Sequence, residues 1–402
     1  MDKILNRLQT KMGTNLRDYQ IDAIKQMNSN KKGKIIHATG TGKSYTFGFY
    51  LAHQVNQKPG HRVYVVLAHR IDLCHQLLED IYKINVKNDI DCGYTVLTSG
   101  LFKTTKLDLY RDEVKSKVKH TSINSTTSSV QLQKDLDDSK SINRCHIIVG
   151  TYHSAERLCN VKSKFDTVIC DEAHEMVSEG RHQFATCFKP KKIFFFTATE
   201  KHTSSDSSFG MNNETLFGKL IHEFNSQKAV KRGILVKPRI IEINSTGDHC
   251  DDDVIDIGGR IIKESYDKIK SQGITPKLLV TAKGTKHIKT IMASKEIQEL
   301  IDLGVQVFDL SSDLGRNLNN NIFKGNRKKY MEKIKEVANT DTGLIFIQIQ
   351  MANTGINIPQ LNSMITFRGL GIITGQQTYG RISRQLKDKE WAWVLIPNIS
   401  LE

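Results

Sequence analysis

Short apolar runs alternate with longer stretches of helical periodicity from one end of this chain to the other, and no other feature restricts the fold as much. Runs at 34–37, 62–68, 94–97, 146–150, 166–170 and 193–196 form one series; those at 277–281, 305–310, 343–349, 363–367 and 391–396 form a second. A strand buried on both faces reads as a continuous apolar run, and the crossover to a parallel neighbour is usually a helix. The pattern predicts an α/β protein in which a mainly parallel sheet flanked by helices occurs twice. At 402 residues the chain exceeds what one hydrophobic core usually serves. Between the series, segment 227–258 carries the breakers Gly233 and Pro238 and an acidic cluster at 248–253, and reads as an interdomain connection. The expected domains are 1–240 and 241–402. Residues 103–141 are rich in Lys, Ser and Thr with little apolar periodicity, and read as a polar surface insertion of helical fragments flanking a mobile loop.

Charge bears on the partner. A formal net charge of +15, from 58 Lys+Arg against 43 Asp+Glu, is spread along the chain and favours a polyanion. The seven cysteines show no C-x-x-C spacing, which argues against structural zinc. Several lie in apolar runs such as Val168-Ile169-Cys170 and read as buried free thiols of a reducing compartment, not as a disulfide framework. No apolar run approaches bilayer length and the first residues lack a signal-peptide core, so a soluble intracellular protein with no membrane partner is expected.

Two clusters carry phosphate chemistry. His37-Ala38-Thr39-Gly40-Thr41-Gly42-Lys43-Ser44 follows a predicted strand and precedes a predicted helix. In such a Walker A loop Gly40 and Gly42 let the backbone, with Thr39 and Thr41, approach phosphate oxygens; Lys43 reaches the β- and γ-phosphates, and Ser44 offers a hydroxyl to Mg²⁺. The strict G-x-x-x-x-G-K-[ST] pattern would place glycine where His37 stands. Downstream, the apolar run 165–170 ends in Asp171-Glu172-Ala173-His174, which puts two carboxylates at the carboxyl end of a buried strand, where parallel sheets bind ligands. One carboxylate, Asp171, suits Mg²⁺; the next, Glu172, suits the base that deprotonates an attacking water. An acidic helix cap is the plainer reading of an isolated pair, and it loses force with a phosphate loop upstream.

In this order the motifs resemble those of superfamily 2 helicases and translocases of the DEAH-box type, over nearly the whole chain. Leu16-Arg17-Asp18-Tyr19-Gln20 resembles the opening L-R-x-Y-Q, which assigns Gln20 to the adenine base. Val66-Leu67-Ala68-His69-Arg70, Thr98-Ser99-Gly100 and Gly150-Thr151-Tyr152-His153-Ser154 resemble segments touching the nucleic-acid backbone, as does Leu279-Val280-Thr281-Ala282; Arg70, Ser99, Gly100, Thr151 and Thr281 are the implied contacts. His174, Thr197-Ala198-Thr199 and Gln377 are implied to couple ATP state to domain closure. Thr354-Gly355-Ile356-Asn357-Ile358-Pro359 resembles the segment near the γ-phosphate, with Gly355 and Asn357 on the nucleotide. Gln377, Gly380, Arg381 and Arg384 match Q-x-x-G-R-x-x-R, which makes Arg381 and Arg384 the arginine fingers.

The resemblance implies two RecA-like domains with the ATP cleft between them, ATP and Mg²⁺ as cofactors, and a nucleic-acid-stimulated ATPase. Asn357 departs from the aspartate of many members and Ser44 from the commoner threonine; neither removes a catalytic group. Ala68-His69-Arg70, Thr197-Ala198-Thr199 and the segment 217–236 look most like helicase subunits of restriction enzymes and related DNA helicases, so DNA is favoured, with an RNA helicase as the alternative. The protein is expected to act as a monomer or with other replication, repair or transcription proteins. A catalytically silent nucleic-acid-binding scaffold is opposed by the complete set Lys43, Asp171, Glu172, Arg381 and Arg384.

Overall fold

A computed structural model describes residues 2–99, 102, 105–114, 118, 123–177, 189–204, 209–247, 257–311, 313–349, 358–369, 372–386 and 389–401. The chain divides into two compact units, Met1–Asn225 and Ser226–Glu402. Each is a sheet with helices on its faces, the arrangement of tandem RecA-like domains.

The first unit holds β1 (Lys32–His37), β2 (Val63–Ala68), β3 (Cys92–Leu97), β4 (Ile123–Thr126), β5 (Cys145–Thr151), β6 (Thr167–Asp171), β7 (Lys192–Thr197) and β8 (Leu220–Phe224). Their order is β4-β3-β5-β2-β6-β7-β1-β8, and every neighbouring pair is parallel, so all eight carboxyl ends share one edge. Period-two alternation divides the core. Tyr64, Val66 and Ala68 pack with Phe47, Leu78 and Ile24 from the helices Lys43–Gln57, Ile71–Lys87 and Asp18–Ser29. Val63, Val65 and Leu67 face the other way, onto Leu132 and Leu136 of the helix Ser129–Ser141.

In the second unit β9 (Lys237–Gly247), β10 (Lys277–Thr281), β11 (Gln306–Ser311), β12 (Gly315–Leu318), β13 (Asn321–Ile322), β14 (Leu344–Gln348), β15 (Ser363–Thr366) and β16 (Trp391–Leu401) line up as β13-β12-β11-β14-β10-β15-β16-β9. The six from β11 to β9 are parallel; β12 and β13 add an antiparallel edge. Leu278 and Val280 face the helices Gly258–Lys270, Thr285–Ala293 and Lys295–Asp302, while Leu279 faces Tyr330, Ile334 and Ile382. β9 and β16 run eleven residues each in continuous parallel register, well beyond their neighbour β15.

Three expectations change. The units part at Asn225 and Ser226, not near 240, and the supposed connection 227–258 contains β9, which pairs along its whole length with β16. Residues 103–141 are not merely a surface insertion: the polar stretch supplies β4 at the sheet edge, and the helix Ser129–Ser141 packs behind β3 and β5. An edge strand exposed along one side needs no apolar run. The cysteines are not all free. The β3–β5 register sets Cys92 opposite Cys145, which form a disulfide; Cys159 is also disulfide-bonded, while Cys74 and Cys170 are buried free thiols. A parallel register that joins positions 53 residues apart leaves no spacing signal.

Candidate nucleotide site

The phosphate loop leaves the carboxyl end of β1 and enters the helix Lys43–Gln57. Gly40 and Gly42 take φ of 84° and 82°, the left-handed region that glycine enters without steric cost. A Cβ on Gly42 would also meet Gln20 Nε2 at 2.9 Å. Gly42 caps the helix with no side chain, so its first N–H groups and the positive end of its dipole are available to an anion. His37 closes β1 in extended conformation, and the position therefore has no conformational need for glycine.

Neighbouring side chains fix the loop through its carbonyls. Tyr19 Oη donates to Thr41 O at 2.6 Å, Gln20 Nε2 to Gly42 O at 3.2 Å, and Thr41 Oγ1 to Ala38 O at 2.6 Å. Gln20 Oε1 accepts from Arg17 N at 2.9 Å, which anchors the amide. Tyr19 stacks on Phe224 with ring centroids 3.7 Å apart, and His37 meets the Tyr19 ring edge-on at 5.5 Å. His37 Nε2 lies 2.9 Å from His222 Nδ1; burial, with His222 and Lys43 nearby, holds His37 well below the usual histidine range, so His37 enters this hydrogen bond as a neutral ring.

Lys43 Nζ lies 3.3 Å from Glu172 Oε1 and 3.4 Å from His37 O. Glu172, with φ 52° immediately after β6, is a non-glycine residue in the left-handed region, a strain on the order of 1–3 kcal/mol that turns its carboxylate onto Lys43. Burial and the adjacent Glu172 push Asp171 up to about 7, against the pull of Lys43. Burial would raise Glu172 as well, but Lys43 and His174 outweigh it and hold the carboxyl below its ordinary value. Asp171 Oδ1 and Thr39 Oγ1 are buried without a hydrogen-bond partner among the described residues. An orphaned carboxylate oxygen costs stability unless something binds it, and oxygen-seeking Mg²⁺ suits such an oxygen together with a hydroxyl of the kind that Ser44 carries.

A hydrogen-bond relay joins β6 to β7. Thr197 Oγ1 donates to Thr199 O at 2.8 Å, so its contact with His174 Nδ1 at 2.9 Å must be donated by the imidazole. The same Nδ1 is 3.6 Å from Glu172 Oε2. Thr199 N donates back to Thr197 Oγ1 at 3.2 Å, and the backbone around Ala198 is closed by this turn.

Arg70, Ser99 and Thr151 follow or end β2, β3 and β5, which are adjacent and parallel, so all three stand on the loop's edge of the sheet. The hydroxyl of Thr151 is 3.0 Å from Ser154 Oγ and accepts from Ser154 N at 3.1 Å, which leaves it turned inward. In the second unit Thr281 ends β10 and is 2% exposed. Gln377 and Arg381 lie on the helix Ile372–Ile382; Arg384 follows it, bridged antiparallel to Leu235, while Val236 N donates to Ser383 O at 2.8 Å. Burial lowers Arg384 from the usual arginine value. Gly100, Gly355 and Asn357 lie outside the described residues. Sequence reasoning passed over Tyr19, His222 and Phe224 because β8, which carries the last two, has no long apolar run; the tyrosine of L-R-D-Y-Q was the available signal.

Residues 13–202 match the family described as "Type III restriction enzyme, res subunit", just under half of the chain. No curated protein matches. Among solved structures, the ATP-dependent Type ISP restriction-modification enzyme LlaBIII bound to DNA aligns over 96% of this chain with TM-score 0.71 and 19% identity. A nuclease-deletion mutant of the Type ISP enzyme LlaGI, with a DNA substrate mimic, aligns over 96% with TM-score 0.64 and 20% identity. Mss116p bound to ssRNA and AMP-PNP aligns over 100% with TM-score 0.59 and 15% identity. The chain spans 28% and 27% of the two restriction enzymes and 73% of Mss116p. At these identities the likeness is one of fold.

Proposed function

We propose that this protein is an ATP-dependent nucleic-acid helicase or translocase of superfamily 2, DEAH-box type, acting on DNA. The observation that carries the reading is the Lys43–Glu172 pair beneath a glycine-lipped helix N-terminus, with Asp171 Oδ1 orphaned beside it. Such a group binds a triphosphate, offers a metal one carboxylate and keeps a second ionised. In the proposed roles Thr39, Gly40, Thr41, Gly42 and Lys43 cradle phosphates and Gln20 serves the base side. Ser44 and Asp171 would hold Mg²⁺, which when bound neutralises charge on the phosphate oxygens. Glu172, held ionised, accepts the proton of the attacking water, and Lys43 is drawn from it to the phosphates when ATP enters. Arg381 and Arg384 neutralise charge that grows in the transition state. Gly355 and Asn357 are proposed for the nucleotide, and Arg70, Ser99, Gly100, Thr151 and Thr281 for backbone contacts that permit movement without sequence preference.

The hydrogen bond from His174 to Thr197, with the same ring nitrogen 3.6 Å from Glu172 Oε2, supports a coupling role, because a change of charge at the base is felt at the end of the next strand. The res-subunit match and the two DNA-bound restriction enzymes support DNA, and the fold likeness to Mss116p with ssRNA keeps RNA as the second reading. ATPase assays with duplex DNA, single-stranded DNA and RNA test it: stimulation greatest with DNA is expected. Turnover indifferent to every polynucleotide would refute the motor. A strand-displacement assay run beside a triplex-disruption assay separates unwinding from duplex translocation.

A further inference from the structure

The edge of the first sheet opposite the phosphate loop holds a groove of about 890 Å³. One wall is the helix Ser129–Ser141, presenting Gln133, Lys134 and Lys140; the other is the segment carrying Lys162 and Lys164, with Lys191 at the entrance to β7. All five lysines are exposed, and Asp137 and Asp166 are the acidic residues in the lining. Asp166 is already neutralised, by Arg62 at 3.0 Å and Lys191 at 2.7 Å. Among the described residues, Lys134, Lys140, Lys162 and Lys164 form no ion pair. The walls are tied together by Lys162 N donating to Gln133 Oε1 at 2.8 Å, so the lysines are displayed by a closed framework and not by a loose loop.

From this we propose that the groove is a second nucleic-acid contact, on the amino edge of the first unit, that holds the phosphate backbone of duplex flanking the motor. It rests on the reading that the protein binds nucleic acid, and adds a site remote from every residue assigned above. No Phe, Tyr or Trp lines the groove, and the His61 ring in its lining is engaged with Arg144 O at 3.1 Å, so a row of stacked bases has no series of platforms. Besides lysines it offers the hydroxyl and amide donors of Ser129, Ser163 and Asn160, the groups that position a duplex through its phosphates. A groove of point charges and small donors fits the regular spacing of phosphates better than the sparse, mobile carboxylates of an acidic protein. Four cations that line one groove with no ion-pair partner among the described residues repel one another, a cost that phosphates would relieve.

The test compares the wild type with a Lys134→Gln, Lys162→Gln, Lys164→Gln triple variant on a duplex of about 40 base pairs over a range of salt. Removing three phosphate contacts should lower the slope of log affinity against log salt by roughly 3 and weaken binding on the order of tenfold. ATP turnover without nucleic acid should not change. Acetylation mapped by mass spectrometry should show the three lysines protected by saturating duplex, while Lys295, whose side chain is 86% exposed in the second unit, stays reactive. An unchanged slope with unprotected lysines overturns the proposal, as does polyglutamate protecting them as well as duplex. Protection without nucleic-acid-stimulated ATPase would sink the motor and keep the groove; stimulation without protection would do the reverse.

Discussion

The phosphate-loop residues and the arginine pair are held by different means. In the first unit the chemical side chains cluster at the carboxyl edge of a wholly parallel sheet, on strand ends and on the helices that flank them, and they are joined in pairs: Gln20 to Gly42, Lys43 to Glu172, His174 to Thr197. In the second, Arg381 lies in the last turn of a helix and Arg384 just beyond it, pinned by backbone pairing to Leu235 and Val236. A locked network couples chemistry to stability, whereas the arginine pair is placed by the backbone that carries it.

Substitutions break or sharpen this contrast. Arg381→Ala should lower ATP turnover by roughly 10³ to 10⁵ while nucleotide affinity and melting temperature stay near wild type; a large drop in melting temperature would erase the distinction. Glu172→Gln should cost roughly 10² to 10⁴ in turnover with nucleotide still bound, measured by single-turnover kinetics, and unchanged turnover would remove Glu172 from its role as base. Lys43→Ala should abolish turnover too, but it also strands Glu172 without its cation. Since the pair is 10% and 16% exposed, the loss should be on the order of 3 kcal/mol in a denaturant titration, an effect Arg381→Ala must not show.

An effect on stability alone lies away from the loop, at His146. Its Nδ1 accepts from Ser139 Oγ at 2.8 Å and its Nε2–H donates to Thr95 Oγ1 at 2.9 Å, whose own proton goes to Asp135. Burial, with Arg144 and His61 nearby, lowers it to about 3. The unfolded chain therefore binds a proton that the folded one refuses. The stability this neutral histidine supplies is complete above about 6.5 and is lost as pH falls towards 3, at about 1.4 kcal/mol per unit. His146→Gln should flatten the acid limb of the stability curve by one proton.

Strands sheltered on both faces were legible because burial demands apolar side chains at every position, as in Val63–Ala68. β4 and β8 were not, since edge strands such as Ile123–Thr126 keep polar side chains exposed. β9 was hidden by Gly233, Pro238 and the acids that follow it, local breakers overridden by pairing with a strand more than a hundred residues away. The phosphate loop and Asp171-Glu172 were readable because their chemistry is contiguous in sequence. What props the loop was not: the Tyr19–Phe224 stack and the His37–His222 bond depend on β8 lying beside β1.

The eleven-residue pairing of β9 with β16 ties the start of the second unit to the strand that follows its arginine helix. Two parallel strands drawn past one another share the strain across all their rungs at once, where a peeled hairpin would surrender them singly. For a protein proposed to pull on a polymer, that pairing is a stiff tendon: tension entering near Lys237 would reach the arginine segment with little stretch, so the unit would bear the recoil of each stroke as one piece.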